Sequence, residues 1–184
     1  MDNRYKYLIK NTGILTISSF STKILTFLMV PLYTNVLTTE EYGTYDLAVS
    51  TVSLLIPILS VNIVDGVMRY SMDSRYDRAD IFSIGLRRIS VATFIFAAIL
   101  AFNSIFQITS VFAGKELLIL LYFISTLLYS LLTQFAKGCE AVKQMAIAGI
   151  ISTICLVGTN ILLLLVFKLG VTGFFIASCA SQLI

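Results

Sequence analysis

The sequence predicts an all-α protein, a polytopic membrane helix bundle. Of its 184 residues, 58% are hydrophobic and 12% are charged, whereas a soluble domain carries about twice that charged fraction. The mean hydropathy is +0.92. Several apolar runs reach the length of about 20 residues that a helix needs to cross a bilayer. Lipid is therefore the solvent in which such a chain would be stable.

Five complete spans and the beginning of a sixth are predicted. The complete spans are Thr12–Val36, Tyr42–Met72, Ile89–Val111, Leu117–Lys137 and Gln144–Phe167, and the sixth starts near Val171. The first apolar run continues past Pro31 and is longer than the core of a signal peptide, so we expect a retained span. We expect residues 1–184 to form a single transmembrane domain in which the chain stops inside the sixth span.

The second span begins at the acidic stretch TTEEYG. Thr38 and Glu41 have the spacing of a helix N-terminal capping box, and the acidic side chains lie at the positive end of the helix dipole. The span has about 30 residues, or about 45 Å of helix, which exceeds the hydrocarbon thickness. We expect it to tilt, kink or protrude, with Pro57 as the kink site.

The basic residues outside the spans are divided unequally between the two sides of the membrane. One side collects Arg4, Lys6, Lys10, Arg75, Arg78, Arg87, Arg88, Lys137 and Lys143, and the other collects Lys115 and Lys168. The positive-inside rule then places the N-terminus in the cytoplasm and TTEEYG outside. The four arginines fall in a predicted loop, Asp73–Arg88, where we expect contact with anionic lipids.

Lys23 lies near the middle of the first span, where a charge costs about 2.5–3.5 kcal/mol by insertion scales. Thr16, Ser19 and Lys23 have the spacing i, i+3, i+7, which places them on one helix face. Thr26 extends this face. A polar stripe that contains a cation must face protein or water and not lipid.

The second span carries a matching set of polar residues. Asn62, Asp65 and Arg69 also have the spacing i, i+3, i+7. By helix rise, Lys23 and Asn62 lie at similar depths, each about 15 Å from the cytoplasmic side. One interpretation is an ion-pair network, which we favour for Asp65 and Arg69. The other is a net cationic cavity for an anion such as a phosphate or pyrophosphate, which we favour for Lys23.

The sequence lacks the motifs of the common catalytic sites. It contains no histidine, and its three cysteines are far apart, without metal-ligand spacing. A phosphate-binding glycine loop, an HExxH motif and a buried carboxylate pair are also missing. We therefore expect no enzyme activity, no cofactor and no metal. Asn103, Gln134 and Asn160 lie in or near spans and are expected to form hydrogen bonds between helices.

Two stretches resemble the polysaccharide-biosynthesis flippases, the Wzx-type members of the multidrug/oligosaccharidyl-lipid/polysaccharide exporter superfamily. The first is the helix that ends in PLYTNVL, followed by L-x-x-x-E-Y-G-x-Y, here Leu37, Glu41, Tyr42, Gly43 and Tyr45. The second runs from the basic loop AKGCEAVK through an asparagine-containing helix to an LG-x-x-G turn, which begins at Leu169 and Gly170. The order of these motifs extends the resemblance over nearly the whole chain.

The resemblance implies a flippase that moves undecaprenyl-pyrophosphate-linked oligosaccharides across the bacterial plasma (inner) membrane. It implies about twelve to fourteen helices in two repeats around a cavity, of which this chain would supply a truncated N-terminal half. Positive cavity residues of the family engage the pyrophosphate, and by position Lys23 and Arg69 match them here. With Asp65 and Asn62 at compatible depths, we expect the substrate-binding residues to be Lys23, Arg69, Asp65 and Asn62. The implied partners are the lipid-linked substrate and membrane lipids, with polysaccharide polymerase and glycosyltransferases as further candidates. We expect no nucleic-acid partner.

Three other functions remain open at this point. A multidrug-type exporter of the same superfamily would carry cations, which the proposed cationic cavity disfavours. A non-transporting scaffold subunit of a polysaccharide assembly complex would tolerate replacement of Lys23 by leucine. A membrane-embedded transferase would need a catalytic constellation that the sequence does not contain.

Overall fold

The computed structural model describes residues 13, 16, 20, 23–24, 27, 29–31, 33–107 and 109–184. Within these residues every regular element is helical. The elements are α1 (Thr39–Ser60), α2 (Ile63–Ser71), α3 (Arg78–Phe106), a 3₁₀ turn (Ser110–Phe112), α4 (Glu116–Gly138), α5 (Val142–Asn160), a π-helical stretch (Ile161–Val166) and α6 (Gly170–Leu183). The residues described between positions 13 and 36 are helical as well.

Four helices in the described part of the chain are long and apolar enough to cross a membrane. They are α1, α3, α4 and the helix formed by α5 with its π-helical extension, Val142–Val166, whereas α6 is apolar but shorter. The prediction of a polytopic helical membrane bundle is confirmed. The fourth and fifth spans and the start of the sixth agree with the observed helices within two residues. The first span lies largely outside the described residues.

The third span begins eleven residues earlier than predicted, at Arg78 instead of Ile89. Its N-cap is Asp77, whose Oδ1 accepts a hydrogen bond of 2.9 Å from the backbone N–H of Ala79. Such a cap satisfies the first free N–H groups and lets a helix start in polar sequence. Arg87 and Arg88 are therefore helical residues of α3. The loop is much shorter than the predicted Asp73–Arg88 and comprises residues 72–77.

The second predicted span is interrupted, but the break follows Pro57 by four residues. α1 continues through Pro57 to Ser60, and Val61 (φ 53°) and Asn62 (φ 49°) then adopt left-handed conformations. The N–H of Asn62 donates to the carbonyl of Pro57 over 3.0 Å. Left-handed residues close a helix by satisfying its last carbonyl groups. The break ends α1 and gives α2 a start of its own.

The core is organised around α4. Ile119, Phe123, Leu127 and Leu131 are spaced four residues apart and are fully buried, and the rings of Phe96 and Phe123 stack at 4.2 Å. α2 packs closely on the end of α4 because Gly138 lacks a side chain. A Cβ atom at this position would lie 2.6 Å from Ser71 Cβ and 2.7 Å from the Met68 carbonyl oxygen. This close approach places α2 beside the last turns of α4.

The two stretches that carry the family resemblance contact each other at the opposite end of the bundle. We call this contact, formed by Thr38, Glu41, Tyr45, Gly170 and Phe174, the motif end. The predicted capping box between Thr38 and Glu41 is present. Gly170 has φ 56° and lies against the Glu41 carboxylate, and the rings of Tyr45 and Phe174 are 3.9 Å apart. The motif residues therefore hold α1 against α6.

Candidate functional site

A groove of about 350 Å³ opens beside the break between α1 and α2 and continues along α4. We call it the polar groove. The lining residues with polar side chains are Ser60, Asn62, Asp65, Tyr129, Ser130, Thr133, Gln134 and Lys137. This concentration of polar side chains lies between helices whose other exposed surface is mostly apolar. Polar residues at such a position in a membrane bundle mark a candidate ligand pathway.

The Asp65 carboxylate is the centre of the hydrogen bonding in this groove. Its Oδ2 accepts a bond of 2.8 Å from Asn62 Nδ2, and its Oδ1 accepts a bond of 3.0 Å from Gln134 Nε2. Asn62 reaches Asp65 because the helix break places it at the start of α2. Gln134 reaches it from α4, so this bond joins two helices that are distant in sequence.

The ion pair that the sequence suggested between Asp65 and Arg69 is not formed. Within the described residues, the salt bridge that the structure contains joins Asp73 and Arg75, at 2.6 Å. The two amides already occupy both oxygens of Asp65, while the side chain of Arg69 is exposed. A long arginine side chain near the end of a span gains solvation by extending outward.

The structure brings together two of the four predicted site residues. Asn62 and Asp65 line the polar groove, and Lys23 and Arg69 do not. All four are exposed, and Lys23 lies in a helical stretch with no ion pair to another described residue. Of the polar stripe around Lys23, Thr16 is described and is exposed, whereas Ser19 and Thr26 fall outside the described residues.

Most polar residues of the groove were not predicted as site residues, and Gln134 and Lys137 are the two that reach furthest into its chemistry. Gln134 was expected to form a hydrogen bond between helices, and its bond to Asp65 confirms that expectation. Its Oε1 atom is buried and has no hydrogen-bond partner among the described residues. Lys137 was assigned only a role in topology. The signal that could have identified both is their spacing of three residues, which places them on one face of α4.

The charges of the groove and its border define what it can bind. Asp65 and Lys137 balance each other within the lining, and the amides and hydroxyl groups around them can donate to or accept from a polar uncharged ligand. Arg69 on the adjacent surface of α2 adds a cation. The loop after α2 adds no net positive charge, because Arg75 pairs with the Asp73 carboxylate. The hydrogen bonds from Arg75 lower the pKa of the Asp73 carboxyl, which keeps it charged.

Comparison with protein families decides the assignment of the chain. A family model described as polysaccharide biosynthesis protein matches residues 8–184. The chain belongs to this family. A search of curated proteins and a search of solved structures gave no significant match.

Membership of the polysaccharide biosynthesis family confirms the resemblance that the sequence motifs indicated. Both the family and the helical membrane bundle are those of a transporter-type protein, with a role in polysaccharide biosynthesis or export. In this polysaccharide biosynthesis protein the motif end and the polar groove lie at opposite ends of α1, near Thr39 and Ser60 respectively. The L-x-x-x-E-Y-G-x-Y and LG-x-x-G motifs therefore lie away from the polar groove, whereas Lys137 of the basic loop AKGCEAVK lines it.

Proposed function

We propose that this polysaccharide biosynthesis protein translocates undecaprenyl-pyrophosphate-linked oligosaccharides across the bacterial plasma membrane. The product would be a surface polysaccharide such as O-antigen of lipopolysaccharide, capsule or exopolysaccharide. The observation that carries the proposal is the polar groove, a site for a polar ligand in an apolar bundle of this family. A membrane flippase needs such a surface because sugars cannot cross the hydrocarbon region unassisted.

The chemistry of the groove suits a sugar joined to an anion. Amide and hydroxyl groups, such as those of Asn62, Gln134 and Thr133, form directional hydrogen bonds with sugar hydroxyl groups. A pyrophosphate needs cations instead, and Lys23 and Arg69 are the exposed cations that we assign to it. Arginine binds phosphate oxygens through its fork of donors, whereas lysine acts as a point charge.

Asp65 favours a second candidate, a multidrug-type exporter that carries cations. A carboxylate in a groove can attract a cationic ligand, and Asp65 is exposed. The two candidates differ in which charged side chain export should depend on. Loss of Asp65 would abolish cation export, but loss of Lys23 would abolish export of a pyrophosphate-linked sugar.

Export of polymer in a bacterial host that lacks its own flippase tests the proposal. We expect the wild type to restore surface polymer and Lys23→Ala to reduce it by about tenfold or more, the effect of losing one charge-assisted hydrogen bond. Lys23→Arg should retain most of the activity. Lys115→Ala removes a lysine from the opposite side of the membrane and serves as the control. Undiminished export by Lys23→Ala would remove the proposed role of this residue and favour a scaffold function.

A further inference from the structure

A second groove lies on the other side of α2, between this helix and the start of α3. It has a volume of about 350 Å³ and is lined by Ile63, Gly66, Val67, Tyr70, Ile81 and Ile84, with Tyr76 at its edge. We call it the apolar groove. Apart from the tyrosine hydroxyls, the side chains of this lining are hydrocarbon. Ile84 remains 59% exposed and Tyr70 50% exposed, so the described residues do not fill the groove.

Gly66 leaves the apolar groove open. A Cβ atom at this position would meet only Ile63 Cδ1, at 4.0 Å. Glycine inside a helix costs about 1 kcal/mol relative to alanine. Gly85 and Gly138 have a packing reason, because a Cβ atom at either would collide with a neighbouring helix. No such collision explains Gly66. Because it has no side chain, it makes the apolar groove deeper.

Arg69 lies on the surface of α2 between the two grooves. With about 100° per residue, Arg69 falls between Asp65, which lines the polar groove, and Gly66, which lines the apolar groove. Its guanidinium has no ion pair within the described part of the chain. Around its axis, α2 therefore presents first an apolar surface, then the cation of Arg69 and then a polar surface.

The residues at the edge of the apolar groove are typical of the boundary between hydrocarbon and headgroups. The rings of Tyr70 and Tyr76 meet almost at right angles at 5.5 Å, and tyrosine is enriched at this level of a membrane. Arg69 directly precedes Tyr70 on α2 and is exposed. A hydrocarbon chain in the groove would therefore have a cation near its polar end.

We infer that the apolar groove binds the polyprenyl chain of the lipid-linked substrate next to its pyrophosphate. This inference rests on the proposed function and adds a binding site for the lipid part of the substrate. The order around α2 matches the order within the ligand, with the chain in the apolar groove, the pyrophosphate on Arg69 and the first sugar in the polar groove. A membrane phospholipid matches the chain and the phosphate but offers no sugar for the polar groove.

Photo-crosslinking with a diazirine-bearing polyprenyl pyrophosphate tests the inference. The full chain is placed in nanodiscs of phosphatidylethanolamine and phosphatidylglycerol, and the labelled peptides are mapped by mass spectrometry. We expect label on the segments 63–70 and 81–84. Gly66→Leu fills the groove and should reduce this label by about tenfold, the effect of excluding about two methylene groups.

The matched control is Gly158→Leu, because Gly158 is also helical and exposed, with no atom within 4 Å of an added Cβ. It should leave the label unchanged, and circular dichroism should show native helix content for both variants. Arg69→Gln should weaken labelling by the pyrophosphate probe but not by an uncharged polyprenol probe. Arg69→Lys keeps the positive charge, so labelling by the pyrophosphate probe should stay close to that of the wild type.

Three outcomes would overturn the inference. One is label on segments 63–70 and 81–84 that Gly66→Leu does not reduce, and the second is label confined to other helices. The third is equal competition by phosphatidylglycerol and by unlabelled polyprenyl pyrophosphate, which would make the groove a general lipid site. The export assay separates this failure from failure of the proposed function. Export that depends on Lys23 but is unaffected by Gly66→Leu would remove the groove alone, whereas a wild type without export would remove the flippase function.

Discussion

The motif end and the polar groove differ in how completely their side chains are packed. At the motif end, Phe174 is buried and packs against the ring of Tyr45 and against the ring of the neighbouring Tyr33, which is also buried. In the polar groove, Asn62 and Asp65 are exposed, and the contacts between them are hydrogen bonds. One end joins helices tightly, while the other end keeps polar groups available.

This difference separates the residues that identify the family from those that could bind its ligand. Gly170 and the aromatic rings of Tyr45 and Phe174 are needed because they allow a close approach of α1 and α6. The groove residues are polar side chains contributed by α1, α2 and α4, and among them Lys137 alone belongs to a quoted motif, the basic loop AKGCEAVK. Substitutions at the motif end should therefore change stability, and polar substitutions in the groove should mainly change export.

The largest effect on stability is expected at Gly138, the point of closest approach between α2 and α4. In Gly138→Ala the new Cβ would lie 2.7 Å from the carbonyl oxygen of Met68, so the backbone of α2 must move. We expect a loss of about 1–3 kcal/mol, the usual cost of overpacking, together with loss of export because the polar groove is displaced. Thermal unfolding in detergent measures the stability change. Gly158→Ala is the control and should stabilise slightly, and equal behaviour of the two variants would contradict the packing that defines the groove.

A smaller loss is expected at Gly170 of the motif end. Gly170→Ala places a Cβ atom on a residue with φ 56° and against the Glu41 carboxylate. A left-handed conformation costs a residue other than glycine about 1–2 kcal/mol, while the carboxylate can move aside. Thermal unfolding should show this loss, and export per folded molecule should stay unchanged. Gly43→Ala at the same end has free space around its Cβ and should not destabilise. A selective loss of export by Gly170→Ala at normal stability would place function at the motif end.

The smallest stability change is expected for Gln134→Leu in the polar groove. This change removes the hydrogen bond from Gln134 to Asp65, and hydrogen bonds between membrane helices contribute about 0.6 kcal/mol on average. Export should fall strongly although the free energy of unfolding changes little, because Asp65 loses one of the two hydrogen bonds that orient its carboxylate. The control is Gln144→Leu, at an exposed position on α5, which should leave both properties unchanged. A large loss of stability with normal export would mean that the polar groove serves only to pack helices.

Much of the fold was predictable from local sequence. The apolar runs predicted α4, and α5 with its π-helical extension, within two residues because length and hydropathy alone decide whether a helix can cross a membrane. The Thr38–Glu41 capping box was predictable because it joins residues three positions apart. Of the four residues proposed to bind substrate, Asn62 and Asp65 line the polar groove, and their role in binding stays a prediction.

The predictions were wrong where a backbone or side-chain group could form a hydrogen bond or ion pair with more than one partner. The start of α3 was placed at Ile89 because arginines were assigned to a loop, but the Asp77 cap extends the helix to Arg78. Asp65 was paired with Arg69 because the two are one turn apart, but Gln134 supplies a donor from another helix. Sequence spacing identifies neighbours on one helix and gives no information on which neighbour a second helix contributes.

The sequence by itself determined that the chain is a membrane-spanning helix bundle, which apolar segments form its long helices and which polar side chains lipid would not tolerate. These properties depend on the composition and periodicity of continuous segments. The tertiary structure decided that Asn62 and Gln134 both bind Asp65, that Gly170 lies against Glu41 and that Arg69 separates a polar groove from an apolar one. The contacts of Asp65 and the position of Arg69 depend on the angle at which α2 leaves the break at Val61 and on the distance at which it packs on α4. The contact of Gly170 with Glu41 depends on how α6 packs on α1, and both arrangements are set by side chains far apart in the chain.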